Sequence, residues 1–260
     1  MLPSLVADAD AVAEAALKSW CRHAAEAVAA RGRFRVLLSG GSTPKRLFEL
    51  LASGPRQSLP WDRTQFFWGD ERSVPPDHAD SNYRMAREAL LDPVGATDCQ
   101  VHRLEGDRAD LDAAARDYQA AVAREFAVPE DGPPPAFDLV LLGLGADAHT
   151  ASLFPHTAAL VERRRWFVAN DVPRLATRRL TATYPLLNAA RAVVFLVAGG
   201  DKAEALERIA APAGSFADFP ARGVHPSGPS GSLTWIVDRA ASARLPPTVE
   251  ADRPAGYPPG

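Results

Sequence analysis

Residues 137–157, "FDLVLLGLGADAHTASLFPHT", hold an uninterrupted apolar run that stops at two glycines and gives way to Asp, His and Thr. The run follows the proline-rich connection "VPEDGPPPA" (128–136) and reads as a strand buried on both faces, because a half-exposed strand alternates apolar and polar residues. Strands of this kind belong to parallel sheets covered by helices on either side.

The same unit recurs along the chain. "RFRVLLSG" (33–40) turns through "GGSTP" into the helix "PKRLFELLA" (44–52), which has Pro at its first position. "TQFFWGDE" (64–71) leads to the helix "SNYRMAREALL" (81–91), capped by Ser or Asn, and "AVVFLVAGG" (192–200) leads to the helix "DKAEALERIAA" (201–211). "CQVHRL" (99–104) is a weaker strand, 109–126 an alanine-rich helix, and "RWFVAN" (165–170) a further buried strand. A first helix spans about 9–31 and stops at Gly32, and "SLTWIVDRAASA" (232–243) reads as a final helix. The expected fold is a doubly wound α/β domain over 1–245 with a mostly parallel sheet flanked by helices, followed by a proline-rich tail at 246–260.

A chain of 260 residues that is 47% hydrophobic can bury a full core. Its net charge of -3 offers no global attraction to nucleic acid or to an anionic membrane, so any anion must be captured locally. Cys21 and Cys99 lie far apart, which argues against a disulfide framework and a structural zinc site. The N-terminal stretch lacks the basic region of a signal peptide, and the longest apolar runs fall short of the roughly 18 residues of a membrane helix. A soluble cytoplasmic protein is expected. The chain has 26 arginines against three lysines, Lys18, Lys45 and Lys202. Base composition accounts for most of that bias, but two of the three lysines follow strand ends.

In an open parallel sheet the ligand sits beyond the carboxyl ends of the strands, where the strand order switches. Four strand ends here carry polar or glycine-rich loops: "SGGSTPK", "WGDERSVP", "GLGADAHT" and "AGGDK". One such loop is explained by the need to turn and cap a helix; four together point to a site. In Ser39–Lys45, Gly40 and Gly41 allow close approach of a ligand, with Ser42, Thr43 and a helix N-terminus suited to a phosphate or carboxylate. Lys45 adds charge to the same turn, and Lys202 repeats the pattern in "GGDK". The loop 69–83 concentrates Asp70, Glu71, Arg72 and Asn82, with Arg72 either pairing an acid or gripping an anion. "GLGADAHT" also fits the loose G-x-G-x-x-A dinucleotide pattern, but Pro155 comes too soon for the long helix that pattern requires.

His149 is the favoured general base among six histidines, since it alone follows a buried strand with an acid at the turn. Imidazole, with an ordinary pKa of about 6.5, is mostly neutral at pH 7 and can accept a proton from water. Asp147 orients the ring if the turn is extended, because residues two apart on a helix do not face each other. No G-x-S-x-G elbow or H-E-x-x-H motif is present, and neither cysteine sits in an activated context. What remains is proton-transfer chemistry on a small phosphorylated molecule.

Taken together, "LSGGSTPKRLFELL", "FFWGDERSVPPDHADSNYRM", "FDLVLLGLGADAHTASLFP", "RRLTATYPLLNAA", "AGGDKAEAL" and "GSLTWIVDRAA" resemble the 6-phosphogluconolactonase family in order and spacing, over nearly the whole chain. The resemblance implies a Rossmann-like fold of the glucosamine-6-phosphate deaminase type. It implies hydrolysis of 6-phospho-D-glucono-1,5-lactone to 6-phosphogluconate, the second step of the oxidative pentose phosphate pathway, without metal or organic cofactor. It assigns His149 as the base and Asp147 as its acid partner. Arg72, Arg179 and Lys202 are to hold phosphate or steady the oxyanion, with Gly40, Gly41, Ser42 and Thr43 as the glycine loop. Lys45, Asp70 and Asn82 join the expected substrate site, and the expected state is a monomer or weak homo-oligomer. Where the family usually has Gly, this chain has Ala148, so a left-handed backbone there costs energy. The alternatives are a glucosamine-6-phosphate deaminase-like isomerase, which typically reads "DEY" and "HIAFNEP" where this chain has "DER" and "HTASLFP", and a noncatalytic sugar-phosphate sensor.

Overall fold

The computed structural model describes residues 3–54, 59–228 and 231–246. Most of the expected proline-rich tail, from 247 onward, lies outside the described residues.

The chain opens with a short strand, β1 (Ser4–Val6), that the helical periodicity of the N-terminal segment concealed. Helix α1 (Ala9–Arg31) starts where the Asp8 carboxylate accepts from the Ala11 amide at 2.9 Å and stops at Gly32, whose φ of 71° is left-handed. Its buried face, Val12, Ala16, Trp20, Ala24 and Ala27, follows the spacing of one helical stripe. The chain continues through β2 (Phe34–Leu38), α2 (Ser42–Ser53), β3 (Thr64–Trp68) and β4 (Asp70–Arg72). Helix α3 (Asn82–Ala86), capped by the Ser81 hydroxyl, runs through a π-helical turn at Arg87–Leu91 into α4 (Asp92–Val94). Then follow α5 (Leu111–Phe126), β5 (Leu139–Leu142), β6 (Phe167–Val172), β7 (Thr177–Ala182), α6 (Tyr184–Ala189), β8 (Ala192–Val197), α7 (Ala203–Ala210) and β9 (Ser232–Asp238).

Six strands form a parallel sheet in the order β1-β9-β8-β5-β2-β3. The chain leaves β2 for the edge strand β3 and returns on the other side of β2 as β5, so the order reverses between β2 and β5. The central strands are apolar throughout because both faces are covered: every residue of Leu139–Leu142 and of Ala192–Val197 is buried. The second sheet is small and antiparallel, in the order β4-β7-β6, with Arg72 opposite Arg179 and Asp70 opposite Thr181.

Four expectations are corrected. "SLTWIVDRAASA" is not a helix: Ser232–Asp238 is a strand inserted between β8 and β1, and only a turn follows it. The slot between those strands pairs its backbone on both sides, and the β-formers Thr, Trp, Ile and Val fit a pleated surface. Trp235, Ile236 and Val237 are buried there, about 2 kcal/mol each by apolar area, and Trp235 stacks on Phe195 at 3.8 Å. "RWFVAN" lies in the antiparallel sheet rather than among the parallel strands. "CQVHRL" contributes only an isolated bridge, Val101 to Phe66, after a short 3-10 turn. Finally, α2 begins at Ser42, which puts Pro44 at its third position.

Candidate active site

A cleft of about 190 Å³ opens where the strand order reverses. Ser39, Gly40 and Gly41 enter it from the end of β2, Asp70 and Arg72 from β4, Gly143, Leu144, Gly145, His149 and Ala151 from the loop after β5, and Lys202 from the loop after β8. All four loops singled out in the sequence meet at one rim.

The β5 loop is a tight turn. The Gly145 amide donates to the His149 carbonyl at 2.9 Å and the Ala148 amide to the Gly145 carbonyl at 3.0 Å. This curvature brings the Asp147 carboxylate to 2.5 Å from Nδ1 of His149, a contact that residues two apart on a helix do not make. A Cβ on Gly145 would lie 2.0 Å from His149 Nδ1 and 2.8 Å from Asp147 Oδ1, so the pair requires glycine at that position. Half-burial acts to raise the Asp147 pKa, but the hydrogen bond and charge of His149, with backbone amides, outweigh it and hold the carboxyl at about 2. At neutral pH the carboxylate is therefore an acceptor only. Nδ1 must carry the proton it shares, which leaves the lone pair on Nε2. Nε2 has no hydrogen-bond partner among the described residues. The ring stacks on Phe154 at 4.1 Å.

Ala148 adopts the left-handed conformation, with φ at 63°, and is 1% exposed. The energetic cost expected of a left-handed alanine at this position is therefore present, about 1 kcal/mol. The far side of the loop is tied to the antiparallel sheet. Ser152 Oγ donates to Asp70 Oδ2 at 2.7 Å, the Ser152 amide donates to Thr181 Oγ1 at 3.1 Å, and Asn170 Nδ2 donates to the Ser152 carbonyl at 2.9 Å. The small sheet thus serves as a wall that fixes the His149 loop against the main sheet.

Arg72 and Arg179 are cross-strand neighbours, and neither forms an ion pair among the described residues, although Arg72 Nη1 donates to the Asp80 carbonyl at 2.6 Å. The Nε atoms of both are buried without a partner. Burial first, then the charge of Arg72, pushes the Arg179 pKa below its ordinary value. Like charges directly opposite in a sheet repel. Helix α2 presents its N-terminus to the same cleft with Gly41 as its cap, so no side chain satisfies its first amides. Lys202 lines the same cleft, 24% exposed and 2.8 Å from Asp201.

Arg179 lies beside Arg72 but is not among the residues lining the cleft, and two expected residues, Lys45 and Asn82, occupy other places. Lys45 is 55% exposed, lies 4.0 Å from Glu49 and does not line the cleft, since a side chain in the first turn of α2 points along the helix surface into solvent. Asn82 is buried behind the cleft, donating to the Asp70 carbonyl at 2.9 Å. Gly40 makes room for it, as a Cβ there would sit 1.8 Å from Asn82 Oδ1, so this glycine accommodates a side chain rather than a ligand. Ser42 and Thr43 form the first turn of α2 beside the cleft. One participant, Arg174, carried no local signal, and Glu71, noted in the loop 69–83, has a structural place. Arg174, from the β6–β7 turn, reaches Asp147 Oδ2 at 3.3 Å. Glu71 is buried, accepting from the amides of Arg72, Asn82 and Tyr83 at 2.8 Å and from Ser81 Oγ at 3.1 Å.

The sequence profile described as glucosamine-6-phosphate isomerases/6-phosphogluconolactonase matches residues 7–235. The chain belongs to this family. A 6-phosphogluconolactonase of Synechocystis is 48% identical over 85% of this chain and 89% of its own length. One from Mycobacterium tuberculosis is 41% identical over 92% and 96%. Among solved structures, a 6-phosphogluconolactonase from Trypanosoma cruzi superposes with a TM-score of 0.82 at 29% identity, covering 94% of this chain and 97% of that one. A monomeric glucosamine-6-phosphate deaminase, 18% identical with a TM-score of 0.76 over 94% of this chain and all of that one, shares the fold.

Proposed function

We infer that this chain is a 6-phosphogluconolactonase: it hydrolyses 6-phospho-D-glucono-1,5-lactone to 6-phosphogluconate. The observation that carries the mechanism is the Asp147–His149 pair, which leaves Nε2 unpartnered in a cleft shared with Arg72 and Lys202. Nε2 takes a proton from water as the water oxygen bonds to the lactone carbonyl carbon. The tetrahedral oxyanion collapses, the bond to the ring oxygen breaks, and the proton passes to that oxygen as a hydroxyl. Asp147 stays ionised, holds the ring in one tautomer and stabilises the imidazolium.

Arg72, Arg179 and Lys202 grip the phosphoryl dianion, aided by the free amides at the start of α2. A dianion relieves the repulsion between the two opposed arginines and partners their orphaned Nε atoms. Holding the distant phosphate orients the carbonyl toward Nε2. The reading includes catalysis without metal or organic cofactor, by a cytoplasmic monomer or weakly associating homo-oligomer. Both described cysteines are free, and no helix among the described residues is long and apolar enough to cross a membrane.

The test is a coupled assay with freshly generated lactone against an enzyme-free control, run beside ammonia release from glucosamine 6-phosphate. Acceleration of the first reaction alone is expected. Ammonia release without lactone hydrolysis refutes the assignment, and tight 6-phosphogluconate binding without turnover identifies a sensor.

A further inference from the structure

A second opening, larger than the cleft that holds His149, lies elsewhere in the molecule. A cavity of about 850 Å³ lies between α6 and the segment after α7, lined by Tyr184, Asn188, Phe216, Arg163, Arg222 and His225 among others. None of the lining residues is acidic, in a chain whose net charge is -3. Arg163 and Arg222 donate to backbone carbonyls, at Leu160 and Glu162 and at Pro212 and Ala213, and no carboxylate among the described residues pairs with either. The aromatic part is ordered: Tyr184 and Phe216 meet edge to face at 5.8 Å, and the Arg163 guanidinium lies 5.7 Å from the Phe216 ring. Phe216 remains 38% exposed, so its ring face is open to a ligand.

The same segment is bonded to the His149 loop. The Ala221 amide donates to the carbonyl of Ala148 at 3.0 Å, and the His156 amide donates to the Ala217 carbonyl at 3.1 Å. The Tyr184 hydroxyl donates to the Pro220 carbonyl at 2.7 Å. One chain segment therefore forms a wall of the cavity on one side and braces the strained turn before His149 on the other.

We propose that this cavity is a second ligand site, for an organic anion that joins a flat aromatic ring to phosphate, and that its occupancy is felt at His149 through the Ala221–Ala148 bond. The volume is in the range of sites that enclose a small molecule. The exposed Phe216 ring, backed by buried Tyr184, offers a stacking surface, and two guanidinium groups without a carboxylate partner offer an anion grip. Two ring-and-phosphate halves explain both features; a bare phosphate uses only one.

The probe is ATP, titrated calorimetrically into the full chain beside adenosine and inorganic tripolyphosphate. Saturable ATP binding is expected that persists in His149→Ala, survives saturating 6-phosphogluconate, and exceeds that of either fragment. Phe216→Ala and Arg163→Glu each weaken it by about tenfold, the loss of one base-stacking or charge contact, while leaving lactone turnover without ATP unchanged. Lactone kcat is expected to shift with ATP in the wild type and not in Phe216→Ala. No saturable binding, equal binding of tripolyphosphate, or competitive displacement by 6-phosphogluconate overturns the site. Binding with no change in kcat overturns the coupling.

Discussion

Glu71 and Arg72 are neighbours on β4, yet strand alternation places them in opposite circumstances. Glu71 turns into the protein and is saturated, its two oxygens accepting from Arg72, Asn82, Tyr83 and Ser81. Arg72 faces the cleft with Asp70 and is only partly saturated: Nη1 donates to the Asp80 carbonyl at 2.6 Å, but Nε has no partner, no carboxylate pairs with it and Arg179 lies directly opposite. A polar group whose hydrogen bonds are all made within the chain holds the fold together. One whose capacity is left open awaits a ligand. Composition does not separate them; partner count does.

The contrast can be broken by substitutions on each side. Glu71→Ala strands three backbone amides and a serine hydroxyl in a buried setting, and a loss of about 3 kcal/mol in unfolding free energy is expected by denaturant titration. If stability is unchanged while KM rises, Glu71 belongs to the ligand site. His149→Ala is expected to lower kcat by about two orders of magnitude, or about 2.7 kcal/mol, and to cost about 1 kcal/mol of stability through loss of the Asp147 partner. Full activity in that variant removes the base.

Asp147 sharpens the comparison because it serves both ends. Its folded pKa of about 2 lies below the unfolded value, so its contribution is present above about pH 4 and is lost as pH falls through 2. Solvent screening of this half-buried carboxylate leaves that contribution at about 1 kcal/mol. Asp147→Asn should flatten the acid limb of stability against pH in that window, measured by chemical unfolding; an unaltered acid limb contradicts the pairing. Among the cations assigned to the phosphate, Arg179→Ala and Lys202→Ala are expected to raise KM about tenfold with kcat nearly kept. A fall in kcat at constant KM instead moves the residue to the oxyanion.

The smallest effect is expected at Ala148→Gly. Glycine removes the strain of the left-handed conformation, about 1 kcal/mol, but loses a buried methyl worth about 0.8 kcal/mol. A net change within about 0.5 kcal/mol is expected in thermal unfolding. A large gain shows that the turn is held under more strain than its φ of 63° implies.

Much of this molecule was determined by local pattern. The buried runs at 139–142 and 192–197, the stop at Gly32 and the polar loops past four strands follow from short-range chemistry: apolar continuity, left-handed glycine and the need to turn. His149 stood out because a turn and an acid sat beside it. Tertiary structure decided the rest, because those outcomes depend on partners far along the chain. Ser232–Asp238 became a strand because β8 and β1 left a slot to pair. Lys45 turned to solvent and Arg174 turned to Asp147 through helix phase and hairpin placement, neither of which leaves a mark on neighbouring residues. Whether Glu71 or Arg72 was the satisfied group rested on hydrogen-bond donors from α3 and an opposed arginine on β7, contacts that exist only once the chain has folded.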